Sequence, residues 1–240
     1  MRGENAWLDA ADLIPGGIAT IFDVGANVGQ TSLELSGLFP EASIWAFEPV
    51  ASTFAMLEAN TGQLTKTQRF PLALNDVPGE AEIHLQPDSG WNSLRKNLDR
   101  GLGRTTIRLE TLDRFCHLHE IRHINLLKTD TEGNDLAVLK GGAGMLESGA
   151  VDAIVCEVGF YAADLGHSNF TDLLAWLQPR SFQFFGLYGV EGLRFVDHPE
   201  EPCYPWTNAL FLRNALVYAR YGTDYAEWIS SIRAKSSPPE

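Results

Sequence analysis

One stretch constrains this chain more than any other: IFDVGANVGQ, residues 21 to 30. Ile21 and Phe22 continue an apolar run from Ile18 and Ala19, the pattern of a strand buried in a parallel sheet. The chain then turns through Asp23, Val24, Gly25, Ala26, Asn27, Val28 and Gly29 into a segment with helical spacing. There Val28, Thr31, Leu35 and Leu38 share a face, and Pro40 is the stop. Glycines at such a turn permit positive φ and let a ligand approach the backbone, while the helix N-terminus offers N–H donors.

The glycine spacing narrows the ligand. A dinucleotide site uses G-x-G-x-x-G, whose second glycine makes room for a pyrophosphate. Here Asn27 holds that position and the glycine pair is Gly25 and Gly29, which suits a nucleoside carrying an amino-acid arm better than NAD. The next strand, Ser43 to Pro49, ends in Glu48, and an acid about 20 residues past the glycine turn is where ribose hydroxyls are gripped. A solvated cap on the helix Val50 to Asn60 is the alternative role for Glu48.

A third strand is expected over Thr67 to Leu74, with Asn75 and Asp76 in the loop at its tip, either beside an adenine or as a plain turn. A short strand, Ala81 to Leu85, carries His84. Residues 86–104 have loop composition and fall where an insertion folds over the ligand edge; Thr106 to Leu109 extends the sheet and Leu112 to Glu120 is helical. Asn125 to Thr129 is the fourth strand, with Asp130, Thr131, Glu132 and Gly133 beyond its end. Helix Leu136 to Leu146 and strand Val151 to Cys156 then deliver Glu157 to the same edge. A loop over Tyr161 to Asn169, containing Asp164, His167 and Ser168, precedes a helix capped by Asn169. The last strands are Phe182 to Tyr188 and Asn208 to Arg213, and Tyr225, Trp228, Ile229 and Ile232 mark a terminal amphipathic helix that covers the core or forms a homodimer contact.

The blocks DVGANVG, AFEP, ALND (Ala73 to Asp76) and LLKTDTEGNDLAVLKGG (Leu126 to Gly142) together resemble the FkbM family of S-adenosylmethionine-dependent methyltransferases, over roughly residues 18–190. The resemblance implies a doubly wound, Rossmann-like class I methyltransferase fold with a mostly parallel seven-stranded sheet and an antiparallel last strand. It also implies a cofactor set of Asp23, Gly25, Ala26, Asn27, Gly29, Glu48, Asn75, Asp76 and Asp130, and O-methylation of a sugar or natural product. An NAD-dependent oxidoreductase and a non-catalytic module that binds the nucleoside are the rival readings.

An aliphatic hydroxyl is too weak an acid to ionise unaided at neutral pH, so it needs a base or a Lewis acid. Asp130, Glu132 and Glu157 converge from neighbouring strand ends. They either hold a divalent cation such as Mg²⁺ or Mn²⁺, or supply a carboxylate base with raised pKa, with His84 assisting; or else Asp130 grips the cofactor's amino group and Glu132 caps a helix.

Within 240 residues, 45% hydrophobic, one domain is expected over residues 1–235. Residues 1–16 would be a helical cover through Trp7, Ala11 and Ile14, 86–104 a substrate-side insertion and 236–240 a disordered tail. Eighteen basic against 31 acidic residues, a net charge of −13, disfavour nucleic acid and acidic membranes. Arg95, Lys96, Arg100, Arg104 and Arg108 form a local exception. Cys116, Cys156 and Cys203 read as reduced, mostly buried thiols, and His117, His119 and His123 as surface histidines. With no apolar run near 18 residues and no signal-like N-terminus, no membrane span is expected and the cytoplasm is the expected compartment.

Overall fold

The computed structural model describes residues 3–86, 92–94, 103–161, 164, 166–189, 196–197, 202–203 and 206–221. Helix α1 (Ala6–Ala11) precedes β1 (Thr20–Val24), and α2 (Gln30–Leu38), β2 (Ser43–Phe47), α3 (Ala51–Thr61) and β3 (Thr67–Phe70) follow in alternation. Next come β4 (Ala73–Leu74), β5 (Gly79–His84), β6 (Arg104–Glu110), α4 (Leu112–Leu118), β7 (Ile124–Thr129), α5 (Asp135–Gly141), α6 (Ala143–Glu147) and β8 (Val151–Gly159). The described chain closes with β9 (Ser168–Asn169), α7 (Phe170–Leu177), β10 (Phe182–Tyr188), β11 (Val196–Asp197), β12 (Pro202–Cys203), β13 (Trp206–Arg213) and α8 (Asn214–Tyr221).

The main sheet runs β10-β13-β8-β7-β1-β2-β3, and the two-residue β9 pairs with β8. Strands β3, β2, β1, β7 and β8 are parallel, while β13 lies antiparallel between β8 and β10. This is the doubly wound sheet expected, with its antiparallel last strand inserted inside the edge. Chain direction reverses its march across the sheet between β1 and β7, and the crevice at such a switch point is where ligands bind.

The central strands form because nearly every residue has a core to enter. Alternate residues feed opposite faces. Phe22, Leu127 and Ile154 pack on one side, Ile21, Leu126, Ala153 and Val155 on the other. An aromatic group joins the first core to the β2–β3 edge. Phe47 and Phe70 each sit 4.8 Å from Phe115, and Trp45 stacks on Phe70 at 5.6 Å. Exposed His119 stacks on Phe115 at 4.2 Å, and His117 is exposed too, as expected of surface histidines. Cys116 and Cys156 are free and buried.

Several boundaries differ from expectation. The third strand stops at Phe70; Ala73 and Leu74 belong instead to a separate sheet of order β4-β6-β5. Thr106 to Leu109 lies in β6 of that sheet and does not extend the main one. A single helix over Leu136 to Leu146 is replaced by α5 and α6. The break has a packing cause: a Cβ on Gly141 would lie 2.0 Å from the Asn75 carbonyl oxygen, and one on Gly142 2.4 Å from Leu112. Asp113 then accepts the Gly144 and Met145 N–H groups, both at 2.8 Å, and so opens α6 as a new helix.

Helix α1 covers β10 and β13. It ends at Ala11 ahead of Pro15, Gly16 and Gly17 and buries Ala6, Asp9 and Ala10, while Ile14, past its end, enters the same core and Trp7 packs partly buried against it. Buried Asp9 accepts the Tyr188 hydroxyl at 2.7 Å and so ties the helix to the sheet. The expected terminal helix with its dimer contact, Lys235 to Glu240 and Arg95, Lys96 and Arg100 lie outside the described residues.

Gly25 sets the approach of the two central strand tips. Its φ is +78°, and a Cβ there would stand 1.8 Å from the Asp130 carbonyl oxygen. Gly25→Ala is therefore expected to destabilise by about 2–5 kcal/mol, combining a left-handed backbone cost with overpacking. Gly37→Ala, in α2 with open space around it, should be neutral or stabilise by up to about 1 kcal/mol. Denaturant unfolding of the two variants checks the contrast; equal stabilities would refute it.

Candidate active site

The switch point is built around a cation. Lys128, 4% exposed one residue before the end of β7, carries its ammonium 3.1 Å from Asp23 Oδ1 and 3.5 Å from Asp130 Oδ2. It also donates to the Gly25 carbonyl at 2.9 Å. Burial alone pulls a lysine pKa down, but Asp23 and Asp130 outweigh it here and the amine titrates above its ordinary value. Asp23 is completely buried and also accepts the Ser32 hydroxyl at 2.6 Å, which anchors α2. One buried ammonium thus joins the β1 turn and the β7 tip and, through Asp23, α2.

The glycine turn spends its donors on the protein. Gly25 and Ala26 N–H both reach the Phe47 carbonyl, at 3.1 and 2.9 Å, and Gly29 N–H reaches Ala26 at 2.8 Å. Gly29, at φ +98°, faces Thr61 and Leu57, where a Cβ would meet a methyl at 2.6 Å. Ala26 packs with Ala46 and Leu57. So Gly25 and Asn27 line the cleft while Ala26 and Gly29 stand behind its wall. At Gly25 and Ala26 the turn therefore offers a ligand its shape, because these two N–H groups join β1 to β2.

The cleft has a volume of about 700 Å³, part of it open to solvent. Glu48 lies in its wall with Pro49, Leu74, Ile83 and Ile107. Glu48 is 7% exposed, and its carboxylate accepts the Val50 N–H at 2.9 Å. Burial pushes its pKa up to about 7 against the N–H bonds from Val50 and Asn27. Among the described residues no basic side chain forms an ion pair with it.

The acid cluster lies on the β8 side. Strand β8 runs through Gly159, so Glu157 projects from within the strand rather than from its tip. Burial, then Asp130, Glu132 and Asp135, hold the Glu157 carboxyl far above the usual range, with Lys128 pulling the other way. Burial likewise raises Asp135, which accepts the Ser168 hydroxyl at 2.9 Å. The expected metal trio of Asp130, Glu132 and Glu157 is not what comes together. The donor atoms lying within 4.8 Å of one another belong to Glu132, Glu157 and His167, while Asp130 turns toward Lys128.

Other expected residues stand further off. His84 is buried at the end of β5, its backbone pairs with Ser93, and it does not line the cleft. Asn75 and Asp76 follow β4; Asn75 Oδ1 accepts from Asn134, which does line the cleft, at 3.2 Å. On this side the cleft is lined instead by Ala73 and Leu74, just before them. Within 86–104, Asn92 and Leu94 reach the cleft, and the Ser93 hydroxyl donates to the Glu132 carbonyl at 2.9 Å.

Sequence reasoning assigned no role to Lys128 or Asp135, and placed Asp164 and His167 in a loop at the acceptor entrance without a chemical role. A lysine inside the apolar run INLLKT of β7 was the available signal for the first, since an amine there must find buried acids.

Strand order, glycine turn and acids at the switch point define the class I, Rossmann-like methyltransferase fold. The METTL16 MTase domain matches that fold with a TM-score of 0.52, over 86% of this chain and 64% of that one, at 10% identity. Residues 23–184 match the methyltransferase FkbM domain, and the chain belongs to the FkbM methyltransferase family. It is 30% identical over 139 residues to the hexuronic acid methyltransferase AglP of Haloferax volcanii, a match covering 58% of this chain and 55% of that protein. It is 25% identical over 142 residues to methyltransferase 1 of Beauveria bassiana, covering 50% and 57%. The chain thus spans little more than half the length of these two curated relatives. Among the described residues no helix is long and apolar enough to cross a membrane.

A carboxyl raised to about 7 from an ordinary 4.5 makes the fold lose stability as pH climbs between those values. Below 4.5 the group is protonated in both states, and above about 7 the loss is complete, at about 3 kcal/mol. Glu48→Gln keeps the accepting oxygen and removes the charge. Relative to the parent it should gain about 2–3 kcal/mol between pH 5 and pH 8. Urea unfolding at the two pH values checks this; a pH-independent difference would contradict it.

Proposed function

We propose that this protein transfers the methyl group of S-adenosylmethionine to a hydroxyl of a small acceptor, a sugar or related natural product. The observation that carries the reading is Glu48: a buried carboxylate in the cleft wall whose hydrogen bonds among the described residues come from backbone N–H groups. Its environment suits a ligand bringing neutral hydroxyl donors, as the two hydroxyls of a ribose do. Ala73, Leu74, Ile83 and Ile107 supply an apolar wall for the base, and Gly25, Asn27 and Asp130 border the end where an amino-acid arm would lie.

S-Adenosylmethionine supplies the chemistry as an electrophilic methyl on a sulfonium. The protein's share is to bind, to exclude water and to align the acceptor oxygen with the methyl carbon and sulfur. The carboxylates of Asp130 and Glu132 in the cleft lining favour a cationic cofactor and oppose a polyanionic acceptor. With the net charge of −13, this supports a small hydroxyl compound over a nucleic acid. The likeness to a hexuronic acid methyltransferase supports a sugar.

Against NAD stands the turn itself. Asn27, at φ 47°, occupies the place where a pyrophosphate needs a glycine. Calorimetry separates the two cofactors. S-Adenosylmethionine or its demethylated product should bind and NAD should not. Hydrogen bonds to a charged acceptor contribute roughly 1.5–3 kcal/mol each, less the carboxylate's desolvation. Glu48→Ala is therefore expected to weaken cofactor binding about ten- to a thousandfold. In the parent, affinity should fall about tenfold per pH unit below about 7, as the carboxyl of the free protein takes up a proton. Unchanged affinity in a folded variant removes the ribose role, and binding without transfer to any hydroxyl would support a cofactor-binding module instead.

A further inference from the structure

Beside the cleft lies an imidazole whose position is set from several sides. His167 directs Nδ1 to Asp164, 2.9 and 3.1 Å from its two carboxylate oxygens. Asp164 also accepts the backbone N–H groups of Gly166 and His167, at 3.0 and 3.2 Å. Burial opposes charge on Asp164, but the His167 side chain and these N–H bonds outweigh it and hold its pKa below the usual carboxylate range. The indole of Trp206 stacks on the imidazole, centroids 5.2 Å apart and planes within 7°. Next in the chain, Ser168 pairs in β9 with Val158 of β8 and donates to buried Asp135.

The end of β8 is shaped to admit this pair. Gly159 has an ordinary backbone φ, yet a Cβ there would stand 2.2 Å from Asp164 Oδ2 and 3.2 Å from His167 Cβ. Its missing side chain is the space in which Asp164 and the root of His167 lie. With Nδ1 turned to a carboxylate, the lone pair of the neutral ring is on Nε2. That atom sits 3.6 Å from Glu157 Oε2, within the same group as Glu132, which lines the cleft.

Resting on the methyltransferase reading above, we propose that His167, positioned by Asp164, is the general base that accepts the proton of the acceptor's hydroxyl. The acceptor oxygen forms a bond to the methyl carbon as the carbon–sulfur bond breaks and its electron pair stays on sulfur. The hydroxyl proton moves to His167 Nε2, and the imidazolium formed is stabilised by the Asp164 carboxylate. Products are a methyl ether, S-adenosylhomocysteine and one proton, which the imidazolium later returns to water. Glu132 and Glu157 border the space between Nε2 and the cleft, where they can orient the acceptor. This assigns the base to a histidine from the loop before β9, in place of the carboxylates and His84.

Two measurements test the proposal. In a complex with ¹³C-methyl-labelled S-adenosylmethionine, a base that shares the acceptor hydroxyl lies within about 6 Å of the methyl carbon. A nuclear Overhauser contact between that methyl and the His167 ring is therefore expected, and its absence in a saturated complex overturns the proposal. Methyl transfer to methyl β-D-glucuronide and methyl β-D-glucoside is followed by S-adenosylhomocysteine release. His167→Gln should lower the saturated rate about 10²–10⁴-fold while the cofactor Kd changes less than threefold. Asp164→Asn should lower the rate with the Kd intact and shift the His167 tautomer signals in ¹⁵N spectra. Full activity of folded His167→Gln refutes the base role while leaving the methyltransferase reading standing. Activity of the parent that disappears on chelation and returns with Mg²⁺ also overturns it, in favour of a cation among Glu132, Glu157 and His167. Failure of the parent to bind the cofactor is instead a failure of the methyltransferase reading.

Discussion

Everything near the cleft depends on one buried ammonium. Taking a charge out of water costs several kcal/mol unless it is paired and hydrogen-bonded, and Lys128 satisfies that condition with groups from two different strand tips. Asp23 and the Gly25 carbonyl come from the β1 turn, and Asp130 from the end of β7. Gly25 adds a steric side to the same junction, because only a bare α-carbon tolerates the Asp130 carbonyl at that separation. The tips therefore meet through close backbone contact and charge together, and the cleft opens beside their junction.

From this junction the site divides along the sheet. Toward β2 the wall is apolar and holds a single buried carboxyl, Glu48; toward β8 the acids accumulate and Lys128 is the buried cation among them. Such a gradient suits a cofactor with an uncharged nucleoside at one end and a cationic centre toward the other. It also opposes stability to function. Glu48 in its ionised form is unfavourable to the folded state, and Glu157 and Asp135 resist ionisation for the same reason. Carboxyls kept in a low-dielectric cluster at a cost in stability are characteristic of functional sites.

The parts of this arrangement that were legible in sequence are those with a local physical signature. Continuous apolar runs marked β1, β7 and β8, the Gly25–Gly29 turn marked the switch point, and Glu48 just past β2 marked a wall of the cleft. What local pattern could not carry was packing between distant segments. The split of α5 from α6 arises from the Asn75 carbonyl and Leu112 pressing on Gly141 and Gly142, contacts invisible in a helical repeat. Ala73, Leu74 and Thr106 to Leu109 pair in the small β4-β6-β5 sheet and not the main one; a strand's periodicity does not say which partner it pairs with. Counting acids by proximity to strand ends likewise grouped Asp130 with Glu132 and Glu157, whereas the Lys128 charge draws Asp130 away and the β9 loop brings His167 in. Lys128 itself stood in plain view inside an apolar strand.

The most direct test of the account is a crystal structure of the protein with S-adenosylhomocysteine. The account predicts both ribose hydroxyls on the Glu48 carboxylate, the adenine against Leu74 and Ile107, and the sulfur on the side of Glu132, Glu157 and His167. A product molecule bound with its ribose away from Glu48, or with its sulfur facing away from the β8 side, would contradict it.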